Sequence, residues 1–131
     1  MNRSIFLAIA AVLYAVSGVG QLFIPDYVAS TVGTSLNPGG MISMRLIGGA
    51  LIGFALIYWW VRERPDSPEM TAILHASAAA QAITLVIALY ATTTGIWNRA
   101  GWTAVLLHIL LAAGFGYFAM AKRKPQRRRK S

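Results

Sequence analysis

The stretch "MISMRLIGGALIGFALIYWW", residues 41–60, holds one charged residue, Arg45, among apolar and small residues. A helix needs about 20 predominantly apolar residues to cross the hydrocarbon core of a bilayer. The stretch has that length, so it predicts a membrane-spanning helix. An arginine within such a helix costs several kcal/mol, by estimates from ~2.5 upward, and therefore requires an explanation.

Three further segments have the same character. Hydrophobic residues make up 56% of the chain and charged residues 12%, which is half of the roughly 25% that is usual in soluble domains. The apolar runs do not alternate with period two, and a bilayer accepts only helices or closed barrels. The sequence therefore predicts an all-α domain over residues 1–121, a bundle of four transmembrane helices at about 4–24, 41–61, 70–91 and 102–121.

The first segment has two interpretations. The basic residue Arg3, an apolar run and the small residues Ala15 and Ser17 fit a cleaved signal peptide. The run continues unbroken to Ile24 and ends at Pro25, which is longer than a typical signal core. This length favours an uncleaved first helix. The stretch after Pro25 predicts a short amphipathic helix on the outer surface.

The distribution of basic residues predicts the orientation. The formal net charge is +8, and seven of the twelve basic residues lie in the tail "KRKPQRRRKS", residues 122–131. If the N-terminus is cytoplasmic, Arg3, Arg62 and Arg64 lie on the same side as the tail, and Arg99 lies alone outside. Because cytoplasmic segments carry the excess of Lys and Arg, both termini are predicted to be cytoplasmic. Such a tail attracts anionic lipid headgroups, so membrane lipids rather than nucleic acids are the expected partners.

Several chemistries lack the residues they need. The chain has no cysteine, which excludes disulfides and thiolate metal sites. All four acidic residues are predicted in loops, so the intramembrane carboxylate of a proton-coupled exporter is missing. His75 and His108 differ in predicted depth by about eight residues, or roughly 12 Å, which argues against a haem held by both. We expect no metal and no cofactor.

The helical face of Arg45 suggests why it is there. Residues four apart share a face, so Arg45, Gly49 and Gly53 form one stripe. A small-xxx-small pattern lets helices approach closely, and Gly48 adds a further small residue. These glycines predict helix packing and an Arg45 that faces the bundle interior. The alternative is that Arg45, about one turn from the outer end, extends to the membrane interface.

Polar residues in the outer half of the other helices could meet Arg45. These are Gln21, Asp26, Tyr90 and His108. The sequence predicts that they converge with Arg45 on a ligand-binding pocket. The alternative is an Arg45–Asp26 ion pair, with the other side chains satisfied locally. Gln81, in the middle of its span, is predicted to form an interhelical hydrogen bond.

The order of these features resembles a known family. A first helix ends in "FIP" (residues 23–25), a short outer stretch follows, and the next helix contains "MRLIGGALIG" (residues 44–53). The chain resembles the DoxX-like superfamily of small four-helix bacterial membrane proteins, and particularly its uncharacterised branch. Arg45, Gly48 and Gly49 are the best matches. The resemblance implies a multi-pass protein of the bacterial inner (cytoplasmic) membrane, without one settled activity.

Three functions fit the sequence. The first is an accessory protein that binds a hydrophobic small molecule or lipid, such as a quinone or isoprenoid, with Arg45 at its polar head and Gln21 and His108 assisting. The second is a structural subunit of a larger membrane complex or homo-oligomer, which predicts exposed small residues and no internal cavity. The third is a membrane enzyme on a lipid-like substrate with His108 as acid or base. The sequence favours a non-enzymatic role.

Overall fold

The computed structural model describes residues 2–121, which are all-helical with no strand. The five helices are α1 (Arg3–Phe23), α2 (Pro25–Thr31), α3 (Pro38–Val61), α4 (Pro68–Thr93) and α5 (Gly101–Met120). All except α2 are long and apolar enough to cross a membrane. The prediction of an all-α chain with four such helices is confirmed. The predicted basic tail, residues 122–131, lies outside the described residues.

Side chains just before three of the long helices define where each begins. The Asn2 side chain accepts a hydrogen bond from the backbone of the first turn of α1, and Asn37 does the same for α3 at 2.7 Å. The Ser67 hydroxyl accepts from the Met70 backbone N–H at 3.1 Å, at the start of α4. Such caps satisfy backbone donors that have no partner within the helix.

The four long helices form two closely packed pairs, α1 with α3 and α4 with α5. In the first pair the contact is centred on Gly18 and Gly48, both buried. A Cβ added to Gly48 would lie 2.7 Å from the Gly18 carbonyl oxygen and 2.7 Å from the Leu22 backbone nitrogen. Only glycine therefore allows the two backbones to approach this closely, as small residues do in membrane helix pairs.

Loops tie the bundle together at both ends. At one end, hereafter the Arg3 end, Arg3 forms an ion pair with Asp66 and donates to the carbonyl of Arg64. At the other end, hereafter the Asn98 end, the Asn98 backbone N–H donates to the Val32 carbonyl at 2.9 Å. The α1–α3 pair is thus connected to the α4–α5 pair through polar contacts at each end.

The interface between the two pairs, hereafter the seam, has an aromatic core. Phe6 of α1 meets Phe115 of α5 edge to face, with ring centroids 4.9 Å apart. Phe115 also contacts Tyr58 of α3 at 5.2 Å, and it is completely buried. Leu7 and Leu74 are buried in the same cluster. Large side chains therefore separate the pairs at the seam, and the Phe6 ring of α1 packs against Gly114 of α5, where an added Cβ would have no room.

Candidate functional site

A pocket of about 210 Å³ lies in the seam, in the half of the bundle toward the Arg3 end. Tyr14, Tyr58 and Ser77 are the buried part of its lining, and they form its floor. Phe54 and Ile57, which are 46% and 40% exposed, belong to its rim on α3. The rest of the lining comes from α4: Ile73, Ala76 and Ala80. The pocket has a buried floor that carries hydroxyl groups, and it opens to the surface of the bundle at its exposed, apolar rim.

Gln81 of α4 connects the floor of the pocket to α5. Its amide Nε2 donates a hydrogen bond to the Tyr14 hydroxyl, and its Oε1 lies 2.6 Å from Nδ1 of His108. Because an amide oxygen only accepts, this arrangement places the hydrogen on Nδ1 of His108. The prediction that Gln81 forms an interhelical hydrogen bond is confirmed, and the bonds join α1, α4 and α5.

A second set of hydrogen bonds fixes Tyr58. The Tyr58 hydroxyl donates to Ser77 Oγ at 2.8 Å, and Ser77 Oγ donates to the Ile73 carbonyl at 2.7 Å. The single hydroxyl hydrogen of Ser77 goes to a carbonyl, which cannot donate in return. Tyr58 must therefore be the donor toward Ser77, and its own oxygen remains an acceptor.

The chemistry of the lining limits what the pocket can hold. None of its lining residues carries a carboxylate, an amine or a guanidinium. A charged ligand in this apolar environment would lack a counter-charge, which is costly. The two tyrosine hydroxyl groups of the floor can exchange hydrogen bonds with a neutral polar group. The pocket therefore suits a neutral molecule with a small polar end and an apolar remainder.

The three glycines of α3 predicted to pack differ in their surroundings within the chain. Gly48 packs against α1, whereas Gly49 and Gly53 are exposed, and a Cβ at either position would have no atom within 4 Å. Arg45, which shares their face, is exposed as well. The face of α3 that packs against α1 contains Gly48, which meets Gly18, and does not contain Gly49.

The other predicted ligand residues do not surround one cavity in residues 2–121. Asp26 is exposed, and Tyr90 is 63% exposed. Gln21 is half-buried beside the Gly18–Gly48 contact. His108 is half-buried and bonds to Gln81 in the seam. The predicted Arg45–Asp26 ion pair is not formed in this part of the chain, where the ion pairs are Arg3–Asp66 and Arg62–Glu63.

Tyr58 and Ser77 were not identified as site residues from the sequence, although a signal for each is present. Tyr58 follows Gly48 at helical spacing through Leu51 and Ala55, so it lies on the packed face of α3. Ser77 lies four residues before Gln81, which places both on one face of α4. Starting from Gly48 and Gln81 therefore leads to the floor of the pocket.

These features define a class: an all-α protein with four helices able to cross a membrane and a small, neutral pocket between two helix pairs. The chain belongs to the family described as Domain of unknown function (DUF8292), whose sequence profile matches residues 8–129. Neither the curated proteins nor the solved structures contain a match to this chain. The resemblance to the DoxX-like superfamily stays a prediction.

Proposed function

We propose that this protein is a membrane-embedded binding protein for a neutral hydrophobic small molecule or lipid with a polar head, an isoprenoid or quinone-like compound among the candidates. The head would lie on the floor of the seam pocket, and the apolar remainder would leave between Phe54 and Ala80. The single observation that carries the proposal is the pocket itself, with buried hydroxyl groups below an exposed apolar rim.

The size of the pocket supports a ring-sized headgroup. An apolar cavity of about 150 Å³ in a well-studied lysozyme variant binds benzene. The pocket here is larger, at about 210 Å³, but smaller than the roughly 300–1,000 Å³ of sites that enclose drug-sized ligands. One substituted ring therefore fits inside, and a longer chain attached to it would extend into the surrounding lipid.

The same observations separate the other two hypotheses. A purely structural subunit agrees with the exposed Gly49 and Gly53, but it predicts no internal cavity. An enzyme with His108 and Arg45 on one substrate requires the two side chains to share a site. His108 is directed to Gln81 in the seam, whereas Arg45 is exposed on α3. The pocket therefore favours binding without catalysis.

We also propose that the protein is a multi-pass protein of the bacterial inner membrane with both termini in the cytoplasm. The cluster of Arg3, Arg62 and Arg64 at the Arg3 end supports this orientation, because cytoplasmic segments carry the excess of basic residues. With this orientation the pocket lies in the cytoplasmic half of the membrane, and not in the outer half that the sequence predicted.

The experiment is mass spectrometry of small molecules that co-purify with the protein in a mild membrane mimetic. Wild type is compared with Ala80→Phe, which fills the pocket from its exposed rim, and with Ala79→Phe. Ala79 is exposed on the same helix and does not line the pocket, so it is a matched control for an added phenyl ring.

We expect one neutral, ring-bearing or isoprenoid compound to be enriched in wild type and Ala79→Phe, and to be depleted in folded Ala80→Phe. If all three proteins carry the same bulk phospholipids and nothing else, the proposal is wrong. The search would then turn to protein partners, as the structural-subunit hypothesis requires.

A further inference from the structure

The hydrogen bonds in the floor of the pocket have a direction, and this direction selects among headgroups. Tyr58 gives its hydroxyl hydrogen to Ser77, so toward the pocket Tyr58 can only accept. Tyr14 accepts the amide hydrogen of Gln81, so its own hydrogen is available to donate. The floor therefore presents one donor and one acceptor.

The donor and the acceptor lie side by side. The rings of Tyr14 and Tyr58, which carry the donor and the acceptor, meet edge to face with centroids 5.1 Å apart. A ligand group that lies between the two hydroxyl groups must both accept and donate to leave neither tyrosine unsatisfied.

We propose that the pocket selects a headgroup bearing a neutral hydroxyl, a cyclic alcohol or a phenol, over the corresponding ketone or hydrocarbon. This inference rests on the proposed function. The ligand hydroxyl accepts from Tyr14 and donates to Tyr58. A ketone accepts from Tyr14 but offers nothing to Tyr58, and a hydrocarbon forms a hydrogen bond with neither tyrosine.

Gln81 and His108 are positioning residues in this scheme. Nδ1–H of His108 donates to the Gln81 oxygen, and this bond orients the amide nitrogen toward Tyr14. If the amide had the opposite orientation, Tyr14 would donate to Gln81 and the floor would present two acceptors. A ketone would then find no donor and would bind no better than a hydrocarbon.

The test uses three compounds of one shape: 4-pentylcyclohexanol, 4-pentylcyclohexanone and pentylcyclohexane. Each is equilibrated by dialysis with the protein in micelles, and binding is taken as the excess over protein-free micelles. The proteins are wild type, Tyr14→Phe, Tyr58→Phe, Ala80→Phe and the control Tyr117→Phe. Tyr117 is 65% exposed on α5 and does not line the pocket.

One hydrogen bond contributes about 0.5–1.5 kcal/mol, or roughly a 2- to 12-fold change in affinity. We expect the alcohol to bind more tightly than the ketone by a factor in that range, and the ketone more tightly than the hydrocarbon. Tyr58→Phe should remove the preference for alcohol over ketone. Tyr14→Phe should weaken both oxygenated compounds, and Tyr117→Phe should change nothing.

The failure of this inference differs from failure of the proposed function. Equal binding of all three compounds, abolished by Ala80→Phe, would overturn the selection for a hydroxyl and leave a binding pocket. Equal binding of ketone and hydrocarbon would overturn the direction of the hydrogen bonds. No binding above the micelle level, or binding that Ala80→Phe leaves intact, would overturn the proposed function. If a tyrosine variant does not fold, the ranking in wild type decides alone.

Discussion

At Gly18 and Gly48 the backbones of α1 and α3 approach so closely that neither position has room for a Cβ. At the seam, Tyr58 and Phe115 hold the two helix pairs apart at a ring–ring distance of 5.2 Å. The first interface is filled by backbone, whereas the second is bridged by side chains and contains a pocket. In lipid, where burial of apolar surface drives little association, these two solutions stabilise a bundle in different ways.

The two interfaces therefore differ in the substitutions that they tolerate. Backbone packing at Gly48 leaves no space for a ligand and tolerates no larger residue. The seam contains hydroxyl and amide groups, and on the proposed function the tyrosine hydroxyl groups exchange hydrogen bonds with the ligand. We therefore expect substitutions at the α1–α3 contact to affect stability most, and substitutions at the seam to affect both stability and binding.

The largest effect is expected for Gly48→Ala. The added Cβ would meet the Gly18 carbonyl and the Leu22 backbone nitrogen, which can only move with the whole of α1. Overpacking of this kind costs about 1–3 kcal/mol, and the backbone contacts favour the upper end. The measurement is SDS-titrated unfolding in mixed micelles, followed by circular dichroism. Gly49→Ala is the matched control and should be neutral or slightly stabilising, so an equal loss in both variants would contradict the close approach.

A smaller effect is expected for Gln81→Leu, which removes the bonds to Tyr14 and His108 together. Interhelical hydrogen bonds in membranes contribute about 0.6 kcal/mol each on average, so we predict that the loss of two bonds costs about 1–2 kcal/mol in the same unfolding assay. Thr84→Val is the control, because the Thr84 hydroxyl bonds only within its own helix, to the Ala80 carbonyl. If Thr84→Val is as harmful as Gln81→Leu, the amide does not bridge the helices.

The Tyr58–Ser77 hydrogen bond also stabilises the seam. Tyr58→Phe and Ser77→Ala each remove the same hydrogen bond, so the double variant should lose less than the sum of the single variants. We predict a coupling free energy of about 0.5–1 kcal/mol from a double-mutant cycle. Strictly additive losses would mean that the two hydroxyl groups do not interact in the membrane.

The smallest effect is expected for Arg45→Gln. Arg45 is exposed, and within residues 2–121 it takes part in neither of the ion pairs. Because α3 begins at Pro38, the long Arg45 side chain can extend to the membrane interface, and its loss should change stability by less than about 0.5 kcal/mol. We predict a change of that size on unfolding and unchanged small-molecule content in co-purification. A loss of a bound compound in folded Arg45→Gln would restore the site that the sequence predicted in the outer half.

The helices could be predicted from the sequence because length and hydropathy alone define them, and the capped starts at Pro38 and Pro68 refine their bounds. The faces could not be predicted in the same way. Lipid is as apolar as the interior of the bundle, so α3 is apolar on every side and offers no contrast between its faces. The choice between Gly48 and Gly49 depends on the position of Gly18 in another helix.

The candidate site could be predicted from the sequence only in part, for a related reason. Gln81 could be predicted because an amide in the middle of a span needs a partner. Tyr58 lies beside Trp59 and Trp60 near the end of its span, where tyrosine is typical of the membrane interface. Its helical spacing from Gly48 identifies it as a buried tyrosine only once Gly48, and not Gly49, is known to be the packed glycine. Its place in the floor of a pocket depends on Ser77 in the neighbouring helix.

Photo-crosslinking in native membranes tests whether the seam pocket binds a specific small molecule. A benzophenone side chain is introduced at Ile57, on the rim of the pocket, or at Leu56, which is 45% exposed and outside the pocket. Intact-protein mass spectrometry then gives the mass of whatever is captured. We predict one discrete adduct at Ile57, distinct from phospholipid, and only phospholipid adducts at Leu56. The same phospholipid adducts at both positions would contradict specific binding in the pocket.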